Sequence, residues 1–131
     1  FPKEKIPLVL EAIANKKSRK FSAVGEKQQS LNAKILSDAD QLEAIGAIGI
    51  ARCFSYGATN KRPFYVEGED LGDRVYIEKD KGTSAMRHFY DKLLKMKDNM
   101  KTETGKKLAE HRHNFLQEFV HEFLDEWNLK K

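Results

Sequence analysis

The sequence predicts an all-α protein, and three observations carry that prediction. Apolar residues recur at three- and four-residue spacing through most of the chain, clearest from Leu108 through Leu116, Val120 and Leu124 to Trp127. Residues suited to helix capping (Ser30, Thr83 or Ser84, and Thr102) stand just ahead of such segments. Strand-like runs are short and confined to the neighbourhoods of residues 64–66 and 75–77. With 131 residues, a single domain over 1–131 is the expectation.

The first expected helix covers about residues 3–16, with Ile6, Val9, Leu10 and Ile13 on one face and Pro7 tolerated in its first turn. A basic, polar connector follows, and Ser30 caps a short helix through Leu36. The central helix is then expected from about Asp38 to Phe54 or Tyr56, in the stretch LSDADQLEAIGAIGIAR, with Gly57 as its stop. Gly46 and Gly49 each cost about 1 kcal/mol against alanine inside a helix. Their expected compensation is the close approach of a neighbouring helix. Residues 58–82 form one long irregular loop, rich in glycine and read as a lid, a swapped arm or a plain insertion. Two helices finish the chain. The first carries Met86, Phe89, Tyr90, Leu93 and Leu94, and the second a stripe of Leu108, Phe115, Leu116, Phe119, Val120, Phe123, Leu124 and Trp127.

Composition narrows the function classes. Net charge is +4, with Lys and Arg clustered at residues 16–20 and 92–107. Acidic residues are dispersed among the basic ones, and the aromatics fall at core spacing. Both features argue against stable nucleic-acid binding and favour attraction of small phosphorylated ligands. No apolar run approaches the roughly 20 residues that span a bilayer. The N-terminal FPKEKIPLVLEAIANKK lacks a signal-peptide pattern, and Cys53 is the lone cysteine, so a reducing, cytoplasmic setting is expected.

Chemistry-bearing residues are few. Asp38 and Asp40 lie about 200° apart on a helix, so one is expected to cap while the other is free for another role. Caps alone also account for both. His111, His113 and His121 have no metal-pair spacing with one another and are expected at the surface or its boundary. His88, Lys92 and Lys95 are spaced four and three apart, hence on one helical face. That row suits either a phosphate-facing site or a solvated basic stripe. No Walker loop, nucleophile elbow, CxxC or dinucleotide fingerprint is present.

The string KILSDADQLEAIGAIGIAR, the following CFSYG and the later HFYDKLLKMKDNMKTETGKKLAEHRHNFLQEFVHEFLDEW resemble the C-terminal half of HD-domain phosphohydrolases. The resemblance runs over nearly the whole chain and implies a partial HD helical bundle. It also implies hydrolysis of phosphate esters, nucleotides among them, with a divalent metal ion (Mg, Mn, Fe, Ni or Zn). In such enzymes the metal sits on a His, a His-Asp pair and a final Asp. Asp40 matches that final Asp and is the implied metal ligand and catalytic residue, with Asp38 as a neighbouring cap or supporting carboxylate. Arg52, His88, Lys92 and Lys95 match positions that recur in this subgroup, and we assign them to the substrate phosphate. The upstream His and His-Asp pair are missing, since His88 is the first histidine. We therefore expect a truncated, C-terminal part of a longer hydrolase, inactive alone. The rival expectation is a non-catalytic helical module that keeps the HD scaffold and self-associates as a homodimer through an apolar face of the central helix.

Overall fold

The computed structural model describes residues 2–17, 30–72 and 84–130. Among them are five α-helices and no strand: α1 (Ile6–Lys17), α2 (Leu31–Leu42), α3 (Gly46–Thr59), α4 (Ala85–Asp91) and α5 (Glu103–Trp127). A 3-10 turn, Lys3–Lys5, leads into α1, and a 3-10 stretch, Leu93–Asn99, follows α4. Three expected caps are present. Ser30, Ser84 and Thr102 each accept a backbone N–H three residues on, from Ala33, Arg87 and Gly105, satisfying donors that a helix start leaves orphaned.

The expected central helix is in fact two. α2 runs on through Asp38 and Asp40 and ends at Leu42; α3 begins only at Gly46. Gly46 has φ +74°, a left-handed conformation that other residues adopt at a cost. The Arg112 side chain packs against its open face, so that a Cβ there would lie 3.0 Å from Arg112 Cγ. Arg112 also donates to the Leu42 carbonyl, placing a cation at the carboxyl end of α2. A methyl on Gly49 would strike the Ala44 carbonyl in the same turn. Gly49 thus serves the bend between two helices, whereas Gly46 combines that bend with the expected close approach of a neighbouring helix, α5, through Arg112. Gly57 does not stop α3 either. It is buried two residues before the end, and Asn60 and a left-handed Lys61 (φ +55°) make the turn.

The core lies where α3, α4 and the 3-10 stretch meet α5. Ile45, Met86, Phe89, Leu93, Met96, Leu116 and Val120 are buried there. Phe54 sits in an aromatic cluster, its ring 5.1–6.1 Å from those of Phe64, Phe89, Phe119 and Phe123, a spacing at which ring edges and faces attract. On α5 the buried line is Gly105, Ala109, His113, Leu116 and Val120. The expected stripe was therefore displaced: Leu108 and Phe115 are exposed, being about 100° from that line. His113, expected near the surface, is buried because it stands one turn from both Ala109 and Leu116.

Residues 60–72 are irregular, as expected, and no strand forms at 64–66; residues 75–77 and Thr83 lie outside the described residues. No described helix is long and apolar enough to cross a membrane. Ile48 of α3 is exposed, as are Leu10 of α1 and Leu31 and Ile35 of α2. The expected apolar face is therefore broader than the central helix alone.

Candidate functional site

α3 and α4 diverge around an open cleft of about 610 Å³. Ile48, Arg52, Cys53 and Tyr56 line it from α3, and Arg62 from the loop beyond. His88 and Lys92 line it from α4 and its C-terminus. Among the described residues no Asp or Glu lines it. Of the four residues assigned to substrate phosphate, Arg52, His88 and Lys92 meet in this cleft, whereas Lys95 does not line it. The chain bends at Lys92 (φ −136°, ψ −55°) into the 3-10 stretch, so the helical register that would carry Lys95 onto the same face is broken. Arg62 was not legible as a site residue, because it enters the cleft only through the turn after α3; Tyr56, on α3 itself, carries no motif that singled it out.

Burial first, then the charges of Lys92 and Arg62, push the His88 pKa down to about 4 from an ordinary 6.5, and Asp91 only partly offsets this. The imidazole is therefore neutral at neutral pH, with one nitrogen donating and the other accepting. Burial also pushes the Cys53 thiol up to about 11, against a smaller opposing effect of Arg62, so it stays protonated and a poor nucleophile. Arg52 reaches the Glu43 carboxylate and the Glu43 carbonyl, both at 3.3 Å, from an exposed position. Such a pair is worth little, about 0–1 kcal/mol, and exchanges readily for a ligand anion.

The depressed His88 pKa has a thermodynamic consequence. The folded chain binds fewer protons at this site than the unfolded chain between about pH 4 and 6.5. Stability is thus full above the unfolded pKa and falls as pH drops through that window. His113, lowered chiefly by burial and next by Lys97, adds in the same direction. Denaturant unfolding at about pH 7 and about pH 5 should differ by on the order of 1–2 kcal/mol more in the wild type than in His88→Gln. Equal pH dependence in the two would sink this reading of His88.

The two carboxylates of α2 part company, though not as caps of their own helix. Asp38 is buried and reaches across to the start of α5. Its Oδ1 accepts the Lys101 N–H at 2.8 Å, and its Oδ2 accepts the Thr102 N–H at 2.8 Å and the Thr102 hydroxyl at 2.7 Å. Gly105 leaves the room for it, since a methyl there would collide with Asp38 Oδ2. Asp40 is half-buried on α2 and does not line the cleft. Among the described residues no three His, Cys, Asp or Glu side chains are grouped so as to hold a metal ion. A single carboxylate is too few oxygens for Mg²⁺ or Mn²⁺, so the described residues do not by themselves fit the metal that the resemblance implies.

The architecture matches known structures over nearly its whole length. An HD-superfamily hydrolase from Bacillus thuringiensis superposes with a TM-score of 0.70 and 37% identity over 98% of this chain and 56% of that one. The chain has an HD-superfamily fold. A Lactobacillus plantarum protein matches at TM-score 0.75 and 32% identity, covering 97% of this chain and 68% of its own. YpgQ of Bacillus subtilis, solved in complex with ADP, matches at TM-score 0.70 and 32% identity over 96% of this chain and 54% of that one. In sequence, YpgQ is 37% identical over 118 residues, 90% of this chain and 51% of YpgQ. This chain thus spans about half the length of that relative. No family model matches it.

Proposed function

We propose that this HD-type chain supplies the phosphate-binding half of a metal-dependent phosphohydrolase acting on phosphate esters, nucleotides among them. The observation that carries the reading is the cleft between α3 and α4, where Arg52, Arg62 and Lys92 converge around a neutral His88 with no carboxylate among the described lining residues. A converging set of cations and an imidazole N–H suits a phosphate group, by charge and by directed hydrogen bonds. The ADP complex of YpgQ supports a nucleotide as one ligand. Asp40 is the one metal ligand we assign to this chain, with the other ligands outside these 131 residues, so the chain alone is inactive. In the active assembly the metal would polarise the phosphoryl group and activate water. This chain's own residues bind and orient the phosphate.

Titration of the purified chain with ADP, followed by calorimetry, tests the cleft. Saturable binding that Arg52→Ala and Lys92→Ala each weaken about tenfold is the expected result. Asp40→Asn should leave metal-free ADP binding unchanged and remove whatever affinity for Mn²⁺ the chain retains. ADP binding that survives both cleft substitutions would overturn the assignment.

A second reading, a non-catalytic helical module that self-associates, draws on the exposed apolar side chains of α1, α2 and α3, with Leu10 60%, Leu31 66% and Ile48 67% accessible. It predicts a dimer in sedimentation and no ADP binding. A homodimer that still binds ADP is compatible with the first reading.

A further inference from the structure

We infer that Arg62, the one residue of the 60–72 loop among the described lining residues, is the anchoring cation for the phosphate end of the ligand, and that the loop is tied down so as to present it. The inference rests on the phosphate reading of that cleft and gives Arg62, one of its converging cations, the anchoring role.

The placement of Arg62 is over-determined. Its N–H donates to the Gly57 carbonyl at 2.8 Å, which turns the chain back onto the end of α3. The next two residues are tied to the start of α4, with the Pro63 and Phe64 carbonyls accepting the Ala85 and Met86 N–H groups at 2.9 Å each. Further along, the Glu69 carboxylate accepts both the N–H and the hydroxyl of Ser84, and the buried Arg87 donates to the Gly72 carbonyl at 3.2 Å. A loop held this way at several points loses little further entropy when a ligand arrives.

The charge of Arg62 is also available. Its guanidinium carbon lies 5.8 Å from the Tyr56 ring centroid, on the cleft side of α3. It lines the same cleft as Cys53 of α3 and His88 of α4, and its charge acts on both. Among the described residues no carboxylate pairs with it, unlike Arg52, which holds Glu43. A half-buried guanidinium facing a cleft with no acid among its described lining residues is poised for a planar, two-pronged contact with phosphate oxygens. The facing groups are Arg52, Cys53 and Tyr56 from α3, and His88, Asp91 and Lys92 from α4 and its end. Among these described residues only Asp91, which is buried, is acidic.

Calorimetric titration of the full chain with inorganic pyrophosphate tests this, with adenosine as the phosphate-free control. Arg62→Ala should weaken pyrophosphate binding by tenfold or more while leaving adenosine unaffected. Arg62→Lys should recover only part of the loss, keeping charge without the fork. Glu69→Gln, which loosens the loop without touching the cleft, should cost about threefold. Pyrophosphate binding that Arg62→Ala leaves within twofold of wild type, while Arg52→Ala abolishes it, would overturn the role of Arg62 alone. A wild type that binds no pyrophosphate at all would overturn this inference together with the phosphate reading beneath it.

Discussion

Arg87→Met should lower the unfolding free energy by about 3 kcal/mol, equivalent to roughly 10 °C in melting temperature for a chain of this size. Arg87 is among the most buried side chains of the protein, and its Nε lies 2.9 Å from the Asp91 carboxylate one turn on. The pair is close but not aligned for a hydrogen bond through Nε, so charge neutralisation carries most of its value. Removing the guanidinium leaves the buried Asp91 with less compensation, the costly way to break an interior ion pair. It also frees the Gly72 carbonyl and slackens the loop that carries Arg62. The double variant Arg87→Met/Asp91→Leu should recover at least half of the loss, since the stranded charge is then gone. A single variant that melts within 2 °C of wild type would mean that the pair contributes almost nothing net. Because α4 also carries His88 into the cleft, weakened ADP binding should accompany the loss of stability.

The helical class was legible because every helix but α4 spans several periods of its apolar pattern, and because Ser30, Ser84 and Thr102 are strong local signals read one turn at a time. What was not legible depended on partners far away in the chain. The break between α2 and α3 turns on a left-handed Gly46 filled by Arg112, 66 positions on, and glycine in a helical pattern does not announce its φ. The bend at Lys92 separates Lys95 from His88, although their spacing reads as one face. Arg52, His88 and Lys92 were grouped only through the resemblance to HD-type hydrolases, and the structure brings the three to one cleft. Arg62 could not be grouped with them, since an irregular loop gives no period from which to infer direction. The resemblance to HD-type hydrolases pointed to the fold, whereas the opposite fates of Asp38 and Asp40 required the structure.

Asp38→Asn should destabilise the chain by about 2–3 kcal/mol, more than a surface charge could account for. Its carboxylate accepts three hydrogen bonds at 2.7–2.8 Å, all from the two residues that open α5. An amide can accept with only one oxygen, so the substitution leaves a donor at Lys101 or Thr102 facing another donor in a buried setting. It also removes a negative charge from the amino end of a 25-residue helix, where the helix dipole favours it. Hydrogen exchange at the Lys101 and Thr102 amides separates this mechanism from a general loosening. Those two should exchange faster in Asp38→Asn by more than the global destabilisation accounts for. Gly105→Ala should reproduce the effect from the opposite side, because its methyl occupies the space of Asp38 Oδ2. If Gly105→Ala is tolerated with no change in melting temperature, the carboxylate is not locked against α5 as described.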